Sequence, residues 1–107
     1  MEIHQEPERS RYVLCEDGEV IGEERYLDLG GGERVLFHTV VAPERSGQGL
    51  ASELVQRVVE DTIAAGLRVV PVCPYVAAWL PRHPEYAANV VEPRPEHLAA
   101  ARHEMGA

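Results

Sequence analysis

Residues 34–72, RVLFHTVVAPERSGQGLASELVQRVVEDTIAAGLRVVPV, decide the fold of this chain. The first eight of them, 34–41, are rich in β-branched and aromatic side chains, which favours a strand. After Pro43 the apolar residues recur every three to four positions, which is typical of an amphipathic helix. Gly66 suits the left-handed position after a helix end, and the apolar run 67–72 predicts a short buried strand.

A helical crossover of this length has consequences for the sheet. It joins strands that are parallel and adjacent, with a right-handed connection. Ligands of open α/β sheets bind beyond the carboxyl ends of parallel strands. The turns after Val41 and Val72 should therefore meet at one edge of the sheet, and we expect the ligand site there.

The residues on either side of this unit complete the predicted fold. Segments 11–15 and 20–27 contain many β-formers and flank Asp17-Gly18, which is a strong hairpin signal. Residues 76–80 predict a short C-terminal helix, and the tail from residue 92 is weakly specified. The expected fold is α/β, with an N-terminal antiparallel meander followed by strand, helix and strand.

Length and composition predict one cytoplasmic domain. The 107 residues leave no room for a second core, so we expect a single domain over 1–107 with its core at about 10–91. Cys15 and Cys73 are too few for a disulfide scaffold and are expected to be reduced thiols. The sequence has no apolar run of about 20 residues, and its N-terminus has neither a basic leader nor an apolar signal core.

The charge excludes several classes of partner. The formal net charge is −8, and all ten basic residues are Arg. A nucleic-acid or anionic-membrane binder needs a basic face, so neither partner is expected. The spacing of His38, Cys73 and His83 does not fit a zinc pattern, and no metal is predicted. We expect a monomer or a small homo-oligomer.

The turn Arg45-Ser46-Gly47-Gln48-Gly49-Leu50-Ala51 is the main candidate binding site. It opens directly into a helix, whose first backbone N–H groups and positive dipole end favour a phosphate. Ser46 and Ser52 add hydroxyl donors. The turn lacks the Gly-Lys-Ser/Thr ending of a Walker loop and the third glycine of a dinucleotide fingerprint. Two interpretations stay open, a phosphate site of another class and an ordinary turn.

The residues around this turn resemble a known family. The order of strand, Val-x-Pro-Glu, Gly-Gln-Gly-Leu-Ala and amphipathic helix is similar to the coenzyme A pyrophosphate loop of the GCN5-related N-acetyltransferases. The resemblance covers about residues 10–91 and is strongest with a small single-domain branch, often called the YjdJ type, that lacks the usual substrate-binding helices. The motifs that carry it are His38-Thr39, Gly47-Gln48-Gly49, the run 70–76 and the run 82–86.

The resemblance implies a fold and a coenzyme site. The fold would be a mixed sheet whose parallel pair is splayed, and acetyl-CoA or coenzyme A would be the co-substrate. Most pyrophosphate contacts would come from backbone N–H groups. Ser46 stands where the family usually has Gln or Arg, and Arg45 lies one residue early. The residues implied at the coenzyme are Val40, Val41, Arg45, Ser46, Gly47, Gln48, Gly49, Leu50, Ala51, Ser52, Tyr75, Arg82 and His83.

The resemblance also implies that an amine attacks the acetyl thioester directly, assisted by a proton acceptor and an oxyanion donor. Cys73 is one catalytic candidate because it follows the second parallel strand; the alternative is a small buried filler. His38 is a candidate base, or else a structural histidine, and strand alternation predicts that it lies on the face opposite Phe37. Tyr75 either protonates the departing thiolate or packs on the coenzyme.

Three classes of function compete. The leading hypothesis is an acetyl-CoA-dependent N-acetyltransferase that acts on an amine of a small molecule or on an exposed protein amine. The alternative is a non-catalytic module that binds or senses acyl-CoA, which the short acceptor side favours. A plain interaction domain would have no affinity for coenzyme A.

Overall fold

The computed structural model describes residues 1–106, which form one five-stranded sheet with helices on both faces. The strands lie side by side in chain order; the first four are antiparallel, and the last pair is parallel. They are β1 (Glu2–Glu6), β2 (Arg11–Glu16), β3 (Glu19–Asp28), β4 (Glu33–Val41) and β5 (Arg68–Pro71).

Three α-helices cover the sheet. They are α1 (Leu50–Ala64), α2 (Pro74–Trp79) and α3 (Pro95–Glu104), and short 3-10 turns connect several elements. Helices α1 and α2 pack on one face, and α3 packs on the other. Over the described residues, no helix is long and apolar enough to span a bilayer.

The prediction of a meander followed by strand, helix and strand is confirmed. The hairpin between β2 and β3 turns at Asp17-Gly18, with Glu16 paired to Glu19. Helix α1 ends before Gly66, whose φ of 79° is the left-handed conformation that the sequence predicts. Strand β1 was not predicted, because its sequence EIHQE is mostly polar and does not show an apolar alternation. Charged residues on an edge strand protect it from pairing with other chains.

The two larger of the three apolar clusters lie on opposite faces of the sheet. The larger core packs α1 and α2 on the sheet and contains Tyr12, Tyr26, Leu36, Leu54, Val55, Val58, Val59, Val69, Val76 and Trp79. The smaller core lies under α3 and contains Val35, Phe37, Val70 and Ala101. Since β4 and β5 contribute to both cores, these two parallel strands form the buried centre of the protein.

The parallel pair splays apart, as the resemblance implies. The register between β4 and β5 ends where Leu36 pairs with Pro71. The Leu36 carbonyl then accepts two hydrogen bonds, from the backbone N–H of Val72 at 3.0 Å and of Cys73 at 2.9 Å. The chain turns there into α2, while β4 continues to Val41. A wedge-shaped gap therefore opens beside the last five residues of β4.

A β-bulge in β4 corrects the predicted orientation of His38. The register pairs Arg25 with His38 but Tyr26 with Leu36, so Phe37 is an extra residue in β4. Arg25 also lies over the Phe37 ring, 5.1 Å from its centroid. Because side chains of paired residues share a face, Phe37 and His38 both lie on the face that α3 covers. The prediction of opposite faces was wrong, since the bulge interrupts the strict alternation of the strand.

Helix α2 begins earlier than predicted. It covers Pro74–Trp79 rather than 76–80, and a 3-10 turn over Leu80–Arg82 follows. Pro74 is the first helical residue, a position at which the missing N–H costs nothing and the fixed φ suits a helix. Cys73 is consequently the residue at the helix N-cap.

The tail also differs from its prediction as weakly specified, because α3 forms there and docks on the sheet. His97 is buried, accepts a hydrogen bond from the Arg94 backbone N–H at Nδ1 (2.9 Å), and donates from Nε2 to Glu33 Oε1 (2.9 Å). The Arg94 guanidinium reaches the same carboxylate at 3.0 Å. His97 first, and Arg94 second, hold the pKa of Glu33 below its usual range.

Candidate active site

The turn before α1 has the geometry of an anion site. Gly47 and Gly49 adopt φ values of 79° and 76°, and Gly49 is the N-cap of α1. The first backbone bond of the helix runs from the Glu53 N–H to the Gly49 carbonyl, so the three N–H groups before Glu53 precede the intrahelical ladder. A Cβ added at Gly49 would meet nothing within 4 Å. The turn therefore leaves open space beside its backbone.

A cavity of about 280 Å³ lies at this turn. Its walls combine the end of β4, the glycine turn, the first residues of α1 and one residue of α2. The lining residues are Val41, Arg45, Ser46, Gly47, Gly49, Leu50, Ala51 and Tyr75. All eight belong to the predicted coenzyme set, and Tyr75 comes from a helix that starts 24 residues after Leu50.

Arg45 is held at the rim of this cavity by an ion pair. Its guanidinium donates two hydrogen bonds to the Glu16 carboxylate at the end of β2, one of them, from Nη2, at 2.9 Å. Its Nε donates to Gln48 Oε1 at 3.3 Å. The side chain is therefore oriented at the turn, but part of its positive charge is already neutralised.

Ser52 couples the turn to α2. Its Oγ accepts a hydrogen bond of 2.8 Å from Trp79 Nε1, and Trp79 is buried between the two helices. The hydroxyl keeps its own proton to donate elsewhere. This bond fixes the first turn of α1 against the helix that carries Tyr75.

Three predicted coenzyme residues lie away from the loop cavity. The Val40 side chain is exposed on the opposite side of the sheet, beside Ile21, Gly22 and Glu23, whereas the resemblance implies a role for its main-chain groups. The His83 ring stacks on Trp79, with centroids 3.7 Å apart and planes at 14°. Arg82 is exposed in the 3-10 turn after α2. The structure thus does not bring these three side chains together with the glycine turn.

A second cavity, of about 500 Å³, adjoins the first at Tyr75, which lines both. It contains both predicted catalytic residues, His38 and Cys73. Helix α3 forms its outer wall, which the sequence did not anticipate. The lining residues are Phe37, His38, Thr39, Val72, Cys73, Pro74, Tyr75, Leu98, Ala101, Arg102 and Met105.

Cys73 contacts a polar partner on β4. Its side chain is 5 % exposed, and its Sγ lies 3.1 Å from Thr39 Oγ1. The Thr39 hydroxyl in turn donates a hydrogen bond to Glu24 Oε1. Glu24 is fully buried, and its second oxygen, Oε2, has no hydrogen-bond partner within residues 1–106.

Burial changes the acidity of Glu24. Desolvation raises the pKa of its carboxyl to about 8, against the lowering effect of the hydrogen bonds from Thr39 and from the His38 backbone. Sequence reasoning did not single out Glu24 or Thr39. One signal was present: Glu23 and Glu24 are adjacent in a strand, so one carboxylate has to face the core side of the sheet.

Possible metal ligands do not cluster. Among residues 1–106, no group of three His, Cys, Asp or Glu side chains is close enough to hold a metal ion. The chemistry available at the second cavity consists of a thiol, a hydroxyl, a buried carboxyl and an imidazole.

Comparison with known proteins agrees with this architecture. A family model described as GCN5-related N-acetyl-transferase matches residues 11–90. A solved GCN5-like protein of the N-acetyltransferase type from Staphylococcus aureus superposes with a TM-score of 0.67 at 23% identity, covering 90% of this chain and 93% of that one. None of the curated proteins compared with the chain matches it.

Two longer enzymes share the fold over part of their length. The ribosomal-protein-S18-alanine N-acetyltransferase from Escherichia coli has a TM-score of 0.52 at 20% identity, over 55% of this chain and 38% of that one. N-acetylglutamate synthase from Neisseria gonorrhoeae was solved with coenzyme A and N-acetyl-glutamate. It has a TM-score of 0.59 at 14% identity, over 75% of this chain and 21% of that one. With a family match over most of its length and the splayed sheet, the chain belongs to the GCN5-related N-acetyltransferase family.

Proposed function

We propose that the protein is an acetyl-CoA-dependent N-acetyltransferase whose coenzyme occupies the cavity at the glycine turn and whose acceptor amine enters the second cavity. One observation carries this proposal: Tyr75 lines both cavities, so the turn suited to phosphates and the pair His38 and Cys73 lie on two sides of the same residue.

At the coenzyme end, the free N–H groups at the start of α1 are suited to a pyrophosphate. Backbone N–H groups and the helix dipole both favour negative charge at this position. The bound coenzyme A in the synthase from Neisseria gonorrhoeae supports the same co-substrate for this fold. Ser46 and Arg45 line the cavity and offer further donors.

At the acyl end, the gap beside β4 is suited to an extended thiol-bearing arm. The strand continues to Val41 after β5 has ended at Pro71, so its edge is available for main-chain hydrogen bonds. The gap leads from the glycine turn towards Cys73. A thioester at the end of such an arm would therefore meet the thiol or an incoming amine.

At the acceptor end, α3 supplies a wall that makes the site more than a bare coenzyme cradle. Leu98 and Met105 contribute apolar surface, and Arg102 contributes charge at the rim. The net charge of −8 attracts cationic amines towards the protein. This built cavity favours the enzyme over the alternative of a non-catalytic coenzyme A module.

Ligand-induced stabilisation gives the first test. A ligand that binds only the folded state raises the melting temperature by mass action. We expect coenzyme A and acetyl-CoA to raise it and dephospho-coenzyme A to raise it less. If coenzyme A at about 1 mM causes no shift in the melting temperature, both the enzyme and the coenzyme-binding module are contradicted.

Turnover then separates the enzyme from the module. Acetyl-CoA hydrolysis and transfer are measured against a panel of small amines and of peptides with free N-termini or lysines. Transfer to one class assigns the acceptor, whereas coenzyme binding without transfer to any amine would favour the module. The His38→Ala and Cys73→Ala variants are assayed in parallel, because loss of turnover assigns the residue a role beyond packing.

The absence of lysine from the chain makes self-acetylation simple to interpret. With protein that carries no lysine-containing tag, acetyl-CoA cannot modify a lysine side chain. A hydroxylamine-labile acetyl group that disappears in Cys73→Ala would identify a thioester on Cys73. A hydroxylamine-stable group, for example on the N-terminal amine, would argue against such an intermediate.

A further inference from the structure

Three side chains from separate parts of the sequence form a continuous hydrogen-bonded chain. Cys73 Sγ lies 3.1 Å from Thr39 Oγ1, and the Thr39 hydroxyl donates to Glu24 Oε1. A hydroxyl has a single proton. An ionised Glu24 carboxylate can only accept, so Thr39 then donates to it and the Cys73 S–H is the donor in the contact with Thr39. The chain therefore has a direction, from the thiol to the carboxylate.

Neither packing nor hydrogen bonding explains why a carboxyl group stands at the end of this chain. Glu24 has no exposed surface, and Oε2 has no hydrogen-bond partner among the described residues. A buried polar atom without a partner is destabilising, and more so when it is charged. A leucine at this position would bury no unpaired polar atom, so the carboxyl is expected to serve the chemistry of the site.

We propose that Glu24 and Thr39 form the proton-accepting chain of the Cys73 thiol. Thr39 passes the proton on, and Glu24 receives it without touching the substrate. Glu24 is thus a positioning and proton-accepting residue, and Cys73 is the group that reacts. The use of this chain in acyl transfer rests on the proposed function above.

The step that this chain serves can be written with its atoms balanced. Cys73 Sγ gives its proton to Thr39 Oγ1 as Thr39 gives its own to Glu24 Oε1. The sulfur forms a bond to the thioester carbonyl carbon, and the bond from that carbon to the coenzyme sulfur breaks, which releases coenzyme A as a thiolate. An amine then attacks the acyl group on Cys73; its proton goes to the departing Cys73 sulfur, and the proton on Glu24 goes to solvent.

The ionised form of Glu24, which is populated as the pH approaches about 8, is a base of suitable strength for this task. A glutamate in water has a pKa of about 4.3 and a thiol about 8.5, so proton transfer between them would be unfavourable by about four pKa units. Burial raises the pKa of Glu24 to about 8. Burial thus removes most of the barrier that an ordinary carboxylate would face as the proton acceptor of a thiol.

The surroundings of Glu24 include few other titratable groups. Tyr12 is its partner on β2, and the Tyr12 hydroxyl donates to Asp61 of α1. Glu23 is its neighbour along β3, and His38 contacts it through the backbone. The buried side chains of α1 and α2 are Leu, Val, Thr and Trp. A titration of Cys73 near pH 8 should therefore report chiefly on Glu24.

Alkylation of the thiol against pH tests the chain without any coenzyme. A neutral haloacetamide is used, and trypsin releases Cys73 in the fragment 69–82 and Cys15 in the fragment 12–25, so Cys15 is an internal control. We expect Cys73 to show two titration steps, because coupled groups lose their protons as a pair. Glu24→Gln and Thr39→Val should reduce them to one step, whereas Thr39→Ser, which keeps the hydroxyl, should retain two.

A single step for Cys73 in the wild type, unchanged by Glu24→Gln, would overturn the proposal. Should Glu24→Gln not fold, the pair Thr39→Val and Thr39→Ser decides the question alone. Glu23→Gln is the matched control, since it removes the neighbouring carboxylate and should retain both steps.

The rate of acetyl transfer to Cys73 from acetyl-CoA is the second measurement. General-base assistance contributes about 100-fold or more, so Glu24→Gln and Thr39→Val should lower this rate by about that factor, and Thr39→Ser by much less. Coenzyme affinity should not change in these variants. Two titration steps of Cys73 without any coenzyme binding would contradict only the proposed acetyltransferase function. Coenzyme binding with a single titration step of Cys73 would contradict only the proton-accepting role of Glu24 and Thr39.

Discussion

His97 Nε2 donates a hydrogen bond of 2.9 Å to Glu33 Oε1 and thereby joins the last helix to the first residue of β4, 64 positions earlier in the chain. The bond determines where α3 lies. Leu98, Ala101 and Arg102, which line the second cavity, follow His97 on the same helix, and Met105, which also lines it, comes directly after the helix end. One wall of the second cavity is therefore tied to the sheet by a buried polar contact that is not part of the cavity lining.

His97→Ala should release α3 from the sheet. The substitution removes the partner of the Arg94 backbone N–H and one of the two partners of the Glu33 carboxylate, and we expect the free energy of unfolding to fall by about 1–3 kcal/mol. Hydrogen exchange of residues 95–106 should increase while that of α1 stays unchanged. His103→Ala, at an exposed position of the same helix, is the control. Equal protection of α3 in both variants would contradict the assigned role.

Acid should loosen α3 through Glu33. The fold lowers the pKa of Glu33, so its stabilising effect is complete above the unfolded-state pKa of about 4.3 and is lost as the pH falls through the lower folded-state value. The methyl resonance of Ala101, which α3 buries against the sheet, should report this loss by NMR. Glu33→Gln should remove the titration in this acidic window, and a titration that persists in that variant would assign the effect to another group.

Glu24→Gln should stabilise the protein increasingly as the pH rises. Between about pH 4.3 and about pH 8 the carboxyl is protonated in the fold and ionised in the unfolded chain, so stability falls as the pH rises. The variant lacks this penalty and should gain about 1.4 kcal/mol relative to wild type for each pH unit of that window. Urea unfolding at several pH values measures the difference. Glu23→Gln should give a flat difference, and a flat difference for Glu24→Gln would show that Glu24 is ionised in the fold.

Gly49→Val should abolish coenzyme A binding. A branched side chain is strained at a φ of 76° and would fill the open space beside the turn. Gly66→Val is matched, because Gly66 has a φ of 79° and also has open space around it, but lies at the far end of α1. Both variants should lose about 1–2 kcal/mol of stability, and Gly49→Val alone should weaken binding by more than about tenfold in calorimetry. Equal affinities would place the coenzyme elsewhere.

Arg45→Ala should weaken coenzyme A binding only modestly. The guanidinium already pairs with Glu16, and a partly exposed ion pair is worth about 0.2–1 kcal/mol, which corresponds to less than about a fivefold change in Kd. Glu16→Gln should act in the opposite direction, because it frees the guanidinium for a phosphate. A loss of affinity of about 100-fold in Arg45→Ala would show that the side chain, rather than the backbone of the turn, holds the coenzyme.

Local patterns in the sequence were sufficient to predict the strand, helix and strand of residues 34–72 and the glycine turn within it. Apolar spacing, Asp17-Gly18 and Gly66 each act over a few residues, so their structural effects can be read from neighbours in the chain. The ordered motifs then indicated the family, which the match over residues 11–90 confirms. Eight of the predicted coenzyme residues line one cavity, and seven of these eight are close in sequence, so a local pattern could identify them.

Tertiary structure alone decided which polar groups meet. The bulge at Phe37 brings His38 to the face under α3, and the sheet brings Glu24, Thr39 and Cys73 into one chain from three separate segments. Helix α3 similarly depends on Glu33, which is distant in sequence. A buried polar residue is stable only when a distant partner or a shifted pKa compensates its lost hydration, and a local pattern contains no information on that partner.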